Sequence, residues 1–318
     1  MRVIAALCAL VAALFAASLA IGPAGAAFWQ GGEAATLILR EIRLPRALLA
    51  LLVGGALGLA GAAMQGYLRN PLAEPGLIGV SPAAALGAVI ALQTGLAAAH
   101  VLILPGMALA GAGVAVALMV ALAGPRGGAF GLILAGIAIS ALAGALVSLV
   151  LNLSPNPFAA AEIVFWMMGS LADRSVVHVW IALPFLAVGA FLTFGTARGL
   201  DALTLGEDAA ASMGVDLARL RLRIVLGTAA LIGAATAVAG AIGFVGLVVP
   251  HLLRPLVGAR PSRLLLASAL GGAAMVLAAD IGVRLIAPER DLKLGVLTAL
   301  VGAPFFLHLI WRHRAQGL

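Results

Sequence analysis

Residues 42–81 read IRLPRALLALLVGGALGLAGAAMQGYLRNPLAEPGLIGVS. Positions 47–65 of this stretch carry no charge. At about 1.5 Å per residue, a helix of that length crosses roughly 30 Å of hydrocarbon. Gly54, Gly58 and Gly61 recur at i, i+4 and i+7. They make one smooth helical stripe, which lets backbones approach closely where lipid supplies no hydrophobic drive. Arg43 and Arg46, three residues apart, stand just before the run. Beyond it, Asn70-Pro71-Leu72-Ala73-Glu74-Pro75-Gly76 must break the helix, because proline removes donors and kinks the chain. Irregular backbone at membrane depth is tolerated only when buried in protein or lining a cavity. Asn70, Pro71 and Pro75 are therefore placed at a translocation path or its gate.

The rest of the chain repeats this theme. Of 318 residues, 64% are apolar and only 10% charged, against about 25% charged in ordinary soluble domains. Mean hydropathy is +1.18. This excludes an ordinary cytosolic enzyme, a disordered chain and a nucleic-acid-binding domain. Apolar segments recur at 3–21, 47–65, 78–93, 101–123, 130–152, 179–195, 223–241, 244–258, 263–286 and 294–311. The expected fold is a single domain, 1–318, an all-α integral membrane protein of about ten transmembrane helices, with the third and eighth segments shortest and broken by proline. Gly-rich runs at 53–66 and 240–247 each lead into Pro/Arg breaks, which hints that spans 2–5 recur inverted as spans 7–10, a transporter signature.

With the N-terminus in the cytoplasm, twelve cationic residues fall inside (Arg2, 69, 126, 198, 219, 221, 223, 254, 260, 263, 312 and 314) and seven outside. The positive-inside rule favours that orientation, with both termini cytoplasmic. The N-terminal run followed by Ala24-Gly25-Ala26 resembles a cleaved signal, but it is longer than a usual signal core and reads as an uncleaved first span.

Lys293 is the one lysine. A Walker loop needs Gly-Lys-Ser/Thr, so the chain has no ATPase site and is not expected to be an enzyme. Cys8 is the one cysteine, and the five histidines lack ligand spacing, so no metal site is expected. Asp280 and Arg284 are four apart and can pair on one helix face. No other carboxylate lies deep in an apolar run, which disfavours an ion-coupled secondary carrier, the main alternative.

Two stretches are too polar to span. Residues 153–178 predict a periplasmic loop with a short surface helix from Glu162 to Leu171. Residues 201–219 predict a cytoplasmic segment with a short helix from Leu205 to Met213, capped by Asp201 or Thr204 and stopped at Gly214. Glu207 and Asp208 in its first turn suit the helix dipole. In the second half, Pro250-His251 reads as the counterpart of the first break at the path or gate, with His251 as a hydrogen-bonded structural residue or, alternatively, a ligand contact.

Four separated motifs, taken in order, carry a family resemblance: residues 42–81, LTLGEDAAASMGVD at 203–216, GAIGFVGLVVPHLLR at 240–254 and LGVLTALVGAPFFLHLI at 294–310. The chain resembles the permease subunit of bacterial ATP-binding-cassette (ABC) importers for iron–siderophore complexes, haem and vitamin B12, the FecCD type, a type II importer permease of the inner membrane. The resemblance implies a pair of permease subunits, expected to be identical, around a central path. It also implies two ATPase subunits that hold ATP and Mg, and a periplasmic binding protein; this chain itself holds no cofactor. The cargo is expected to be a bulky metal chelate, a ferric siderophore or haem, with cobalamin as the alternative, moved from periplasm to cytoplasm by alternating access. The resemblance further implies that Arg43, Arg46 and Arg284 dock the binding protein through its glutamates. Leu205, Gly206, Glu207, Asp208, Ala210, Met213 and Gly214 would form the helix coupled to the ATPase. The family's usual Glu-Leu-Pro before the last span is replaced here by Asp291-Leu292-Lys293, which alters the outer entrance to that span.

Overall fold

The computed structural model describes residues 2–22, 32–124, 128–154, 157–287 and 292–315, and among these it contains helices and no strand. The helices are α1 (Arg2–Ala20), α2 (Glu33–Ile38), α3 (Leu44–Tyr67), α4 (Val80–Gln93), α5 (Leu96–Ala99), α6 (Ile103–Ala123), α7 (Ala129–Asn152), α8 (Pro157–Met167), α9 (Val176–Phe194), α10 (Ala197–Leu203), α11 (Glu207–Ser212), α12 (Leu217–Ala239), α13 (Val245–Leu253), α14 (Pro261–Ile286) and α15 (Leu294–Ala315). The ten expected spans correspond to α1, α3, α4, α6, α7, α9, α12, α13, α14 and α15. Among the described residues, seven helices are long and apolar enough to cross a membrane on their own. The two shortest spans, α4 and α13, are partial helices that each follow a break.

The core is built on α3, which packs against α14, α12, α13 and α9. The glycine stripe explains how. A Cβ at Gly54, Gly58 or Gly61 would run into the carbonyl oxygens of Gly272, Ser268 and Gly246 respectively. These contacts leave no room for a side chain. They also show α3 and α14 to be antiparallel, since the lower-numbered glycine meets the higher-numbered partner.

The helix pairings exchange between the halves. Helix α3 packs on α13 and α14, while α12 packs on α4 and α6; α4 packs on α6 as α13 does on α14. Helices α3 and α12 run antiparallel. Tyr67, at the end of α3, lies within electrostatic reach of Arg221 at the start of α12, whereas Val53 and Leu57 share a cavity with Ala235 and Thr236. The inverted relation of spans 2–4 and 7–9 is thus visible in the packing. The glycine runs are not the corresponding parts, however. Residues 53–66 lie inside α3, whereas 240–244 is an irregular link, and its counterpart is the link before α4.

The bundle has two ends. One carries Arg43, Arg46, Asp280 and Arg284 and is here termed the arginine face. The other carries α10, α11 and the starts of α12 and α14, and is termed the short-helix face. The surface helix expected at Glu162–Leu171 instead spans Pro157–Met167. Proline is preorganised for a helix start, and Gly169 at φ 73° ends the turn, in a place where a Cβ would strike the Ala241 carbonyl. Leu171 is buried beyond the helix. Ala24-Gly25-Ala26, Arg126, Arg290 and Asp291 lie outside the described residues.

Candidate translocation site

Two irregular segments enter the bundle from opposite faces. The first follows α3. The Asn70 side chain accepts the Leu72 N–H at 2.9 Å, and the Asn70 carbonyl accepts the Ala73 N–H at 3.1 Å. This is the local turn expected of Asn before Pro. Asn70 itself is exposed, while Pro75 is buried and opens a tight turn, Pro75–Ile78. The chain then reaches Gly79, where a Cβ would lie 2.9 Å from the Gly136 carbonyl oxygen of α7. Gly136 is seven residues into α7, about 10 Å along it.

The second segment, 240–244, leaves the end of α12 and delivers Val245 to the flank of α3. Both partial helices start from a left-handed residue, Gly79 at φ 76° before α4 and Phe244 at φ 66° before α13. For a residue as bulky as phenylalanine this is an outlier costing about 1–3 kcal/mol.

The two segments meet. Glu74 Oε1 accepts the Phe244 N–H at 3.2 Å, and Ser81 and Thr236 hydroxyls lie 3.2 Å apart. Between them is a cavity of about 200 Å³, lined by Leu57, Glu74, Pro75, Ser81, Thr236 and Phe244 among others. Leu57 is near the middle of α3, so the cavity sits near mid-depth.

Pro250 and His251 do not form the second break. Pro250 is buried within α13. It has no N–H to give the Gly246 carbonyl, and that oxygen faces Gln65 Nε2 at 3.5 Å, with the Leu247 carbonyl at 3.2 Å. Gln65 Oε1 in turn accepts from Arg254 at 3.0 Å. The buried Gln65 thus carries α13 through its proline. His251 packs edge-on to Phe305 of α15, with centroids 6.0 Å apart.

On the arginine face, the three expected docking residues are turned inward. Arg43 is 4% exposed and donates to the Leu19 and Ala20 carbonyls, both at 2.9 Å. Arg284 donates to the Ser18 carbonyl at 2.9 Å, the Ile21 carbonyl at 2.7 Å and the Ser18 hydroxyl at 2.7 Å. Two guanidinium groups therefore occupy the terminal carbonyls of α1, which have no intrahelical partner, and their positive charge suits that end of the helix dipole. Asp280, 1% exposed, holds Arg284 and Arg46, each at 2.8 Å. The i,i+4 pair is as expected; Arg46 is its third member. Donors expected to face a partner's carboxylates are engaged inside the chain.

On the short-helix face, α11 covers Glu207–Ser212, shorter than the expected Leu205–Met213. Its stop at Gly214 is the expected one. Gly214, at φ 84°, donates to Ala211, and Val215 donates to Ala210, the two-bond pattern that closes a helix end. Its start is capped by neither Asp201 nor Thr204 but lies on Gly206 at φ 106°. Asp201 instead accepts from the Ser262 N–H at 2.9 Å and the Ser262 hydroxyl at 2.7 Å. It thereby caps α14. Asp201→Ala is expected to lower the unfolding free energy by about 1 kcal/mol, read as a modest fall in thermal midpoint in detergent. Ala210 faces inward and is fully buried, whereas Leu205 and Met213 are 68% and 63% exposed and flank the exposed Glu207 and Asp208.

A helical bundle with two inverted halves, each interrupted at mid-depth beside a cavity, is the architecture of a membrane transporter. The chain belongs to the FecCD transport family, whose family model matches residues 3–312. It is 40% identical over 286 residues to the Fe(3+) dicitrate transport system permease protein FecD of Escherichia coli K12, covering 90% of this chain and 89% of FecD. It is 38% identical over 280 residues to the hemin transport system permease protein HmuU of Yersinia pestis, covering 87% of this chain and 84% of HmuU. It is likewise 38% identical over 287 residues to the vitamin B12 import system permease protein BtuC of Klebsiella pneumoniae, covering 88% of this chain and 84% of BtuC. A solved ABC transporter of metal-chelate type, in an inward-facing conformation, superposes with a TM-score of 0.90 at 32% identity, covering 98% of this chain and 99% of that one. The chain is a multi-pass permease subunit of an ABC importer.

Proposed function

We propose that this chain imports a bulky metal chelate by alternating access, with the two breaks as its gate. The observation that carries this reading is the meeting of residues 70–79 and 240–244 beside a mid-depth cavity. The cargo class follows the iron-citrate, hemin and vitamin B12 relatives; a ferric chelate or haem comes first, and a corrinoid is the alternative. The cavity offers few charged groups, which suits a cargo held by a separate binding protein.

The short-helix face is assigned to the cytoplasm, and both termini with it, from the distribution of arginines. Two copies of the permease stand side by side in the inner membrane, with two ATPase subunits beneath them that bind ATP and Mg. A binding protein approaches the arginine face, where Arg43 and Arg284 shape the rim by fixing the end of α1 and Arg46 joins that cluster through Asp280. Leu205, Glu207, Asp208 and Met213 meet the ATPase, while Gly206, Ala210 and Gly214 hold α11 in place.

Because Ala210 is buried, a crosslinking probe belongs at Met213 or Leu205. Met213→Cys is expected to crosslink to the ATPase subunit in the assembled complex, and the double variant Glu207→Lys/Asp208→Lys is expected to reduce uptake about tenfold or more, the scale of lost coupling between sites. Unchanged uptake, with no crosslink from either Leu205→Cys or Met213→Cys, would reject the assignment.

A further inference from the structure

We infer that Glu74 is a positioning residue that ties the gate segments of the two halves together, so that α4 and α13 move as one unit. This rests on reading the breaks as the gate and adds the residue that couples them.

The two segments share a sequence pattern. Gly76-Leu77-Ile78-Gly79-Val80 precedes and opens α4, and Gly240-Ala241-Ile242-Gly243-Phe244-Val245 precedes and opens α13. The second copy has one extra residue, Phe244, and it is the Phe244 N–H that Glu74 receives, across 170 positions of sequence. The relation is one-sided. Two residues before Gly76 stands Glu74; two before Gly240 stands Val238. Among the described residues, the carboxylate that bridges the two links therefore comes from the first half alone.

Phe244 is held from both sides. Its N–H is one of the donors at the start of α13 that no helical carbonyl can take, and an acidic group there suits the dipole. Its ring packs on Gly302 of α15, where a Cβ would lie 2.8 Å from Phe244 Cδ1. Next to Glu74, Pro75 presses on the same partial helix, and a Cβ at Gly246 would lie 2.7 Å from Pro75 Cγ. A left-handed phenylalanine persists only where its surroundings impose it. Here Glu74 and α15 impose it together. The cavity of about 200 Å³ that Glu74 and Phe244 both line gives the junction room to rearrange when the gate changes state.

The test uses the full complex of permease, ATPase subunits and binding protein in proteoliposomes, with cargo imported per ATP as the readout. Glu74→Ala is expected to lower that ratio about tenfold or more, the scale of a coupling between sites, with ATP hydrolysis and thermal midpoint retained. Glu74→Gln keeps an oxygen that can accept the Phe244 N–H and is expected to stay within about threefold of the parent, a loss under 1 kcal/mol on the hydrogen-bond scale. A parental ratio in Glu74→Ala would overturn the inference. So would equal damage in both variants with a lowered midpoint, which would make Glu74 merely structural. Thiol labelling of Thr236→Cys separates the underlying reading: access that changes with nucleotide state supports the gate, and no access in any state rejects the gate whatever the Glu74 variants do.

Discussion

Gly58→Leu is expected to prevent the bundle from assembling. A Cβ at Gly58 would already meet the carbonyl of Ser268 and crowd Gly272. Both obstacles are backbone, so no side chain can swing aside. Helices α3 and α14 would have to part along their length. In lipid that contact depends on close packing, because burial of apolar surface gives no drive there. The loss should be at or above the upper range for overpacked cores, about 3 kcal/mol or more. Fluorescence-detected size-exclusion chromatography of detergent extracts should show loss of the monodisperse peak. Gly113→Leu is the control, since a Cβ there meets nothing within 4 Å, and it should leave the peak intact. Equal behaviour of the two variants would refute the packing account.

The second large effect is at Asp280. Asp280→Asn removes the one carboxyl that holds both Arg46 and Arg284, and the Arg284 side chain is only 6% exposed. Breaking a buried ion pair from one side costs about 3–5 kcal/mol, because the remaining charge is left uncompensated. Arg284 also holds the end of α1, a helix mostly uncovered elsewhere, so α1 should loosen first. The thermal midpoint in detergent should fall, and a cysteine at Ser18 should become reactive to a thiol reagent. Removing all three charges together, as Asp280→Leu/Arg46→Met/Arg284→Met, should cost less at the Asp280 cluster than Asp280→Asn alone, although it also gives up the α1 carbonyl contacts. An unchanged midpoint in Asp280→Asn would contradict this account of the cluster.

Much of the fold was legible because lipid imposes simple rules. Span lengths follow bilayer thickness, and the stripe Gly54-Gly58-Gly61 follows from helix periodicity and close packing. The Asp280–Arg284 pair followed from its spacing within one helix. What stayed hidden came from distant residues. Arg46 meets Asp280 across 234 positions, and nothing local marks it as a partner. The inward turn of Arg43 and Arg284 depends on where α1 ends; the single Ser18 near the end of an apolar run was the available hint. Asp201 lay close enough to α11 to look like its cap, yet the tertiary fold presents it to α14. Pro250 looked like a break because proline usually is one, but Gln65 supplies the missing donor. Glu74 sat in a stretch already read as a bend. Setting Gly76–Val80 against Gly240–Val245 would have located both links and drawn attention to the acid beside the first.

The most direct measurement is cargo uptake into proteoliposomes that hold the permease with its ATPase partner, with binding protein added outside. The account predicts uptake that requires ATP on the ATPase side and binding protein on the other, and none from the permease alone under a proton or sodium gradient. Uptake by the isolated chain driven by an ion gradient would contradict it.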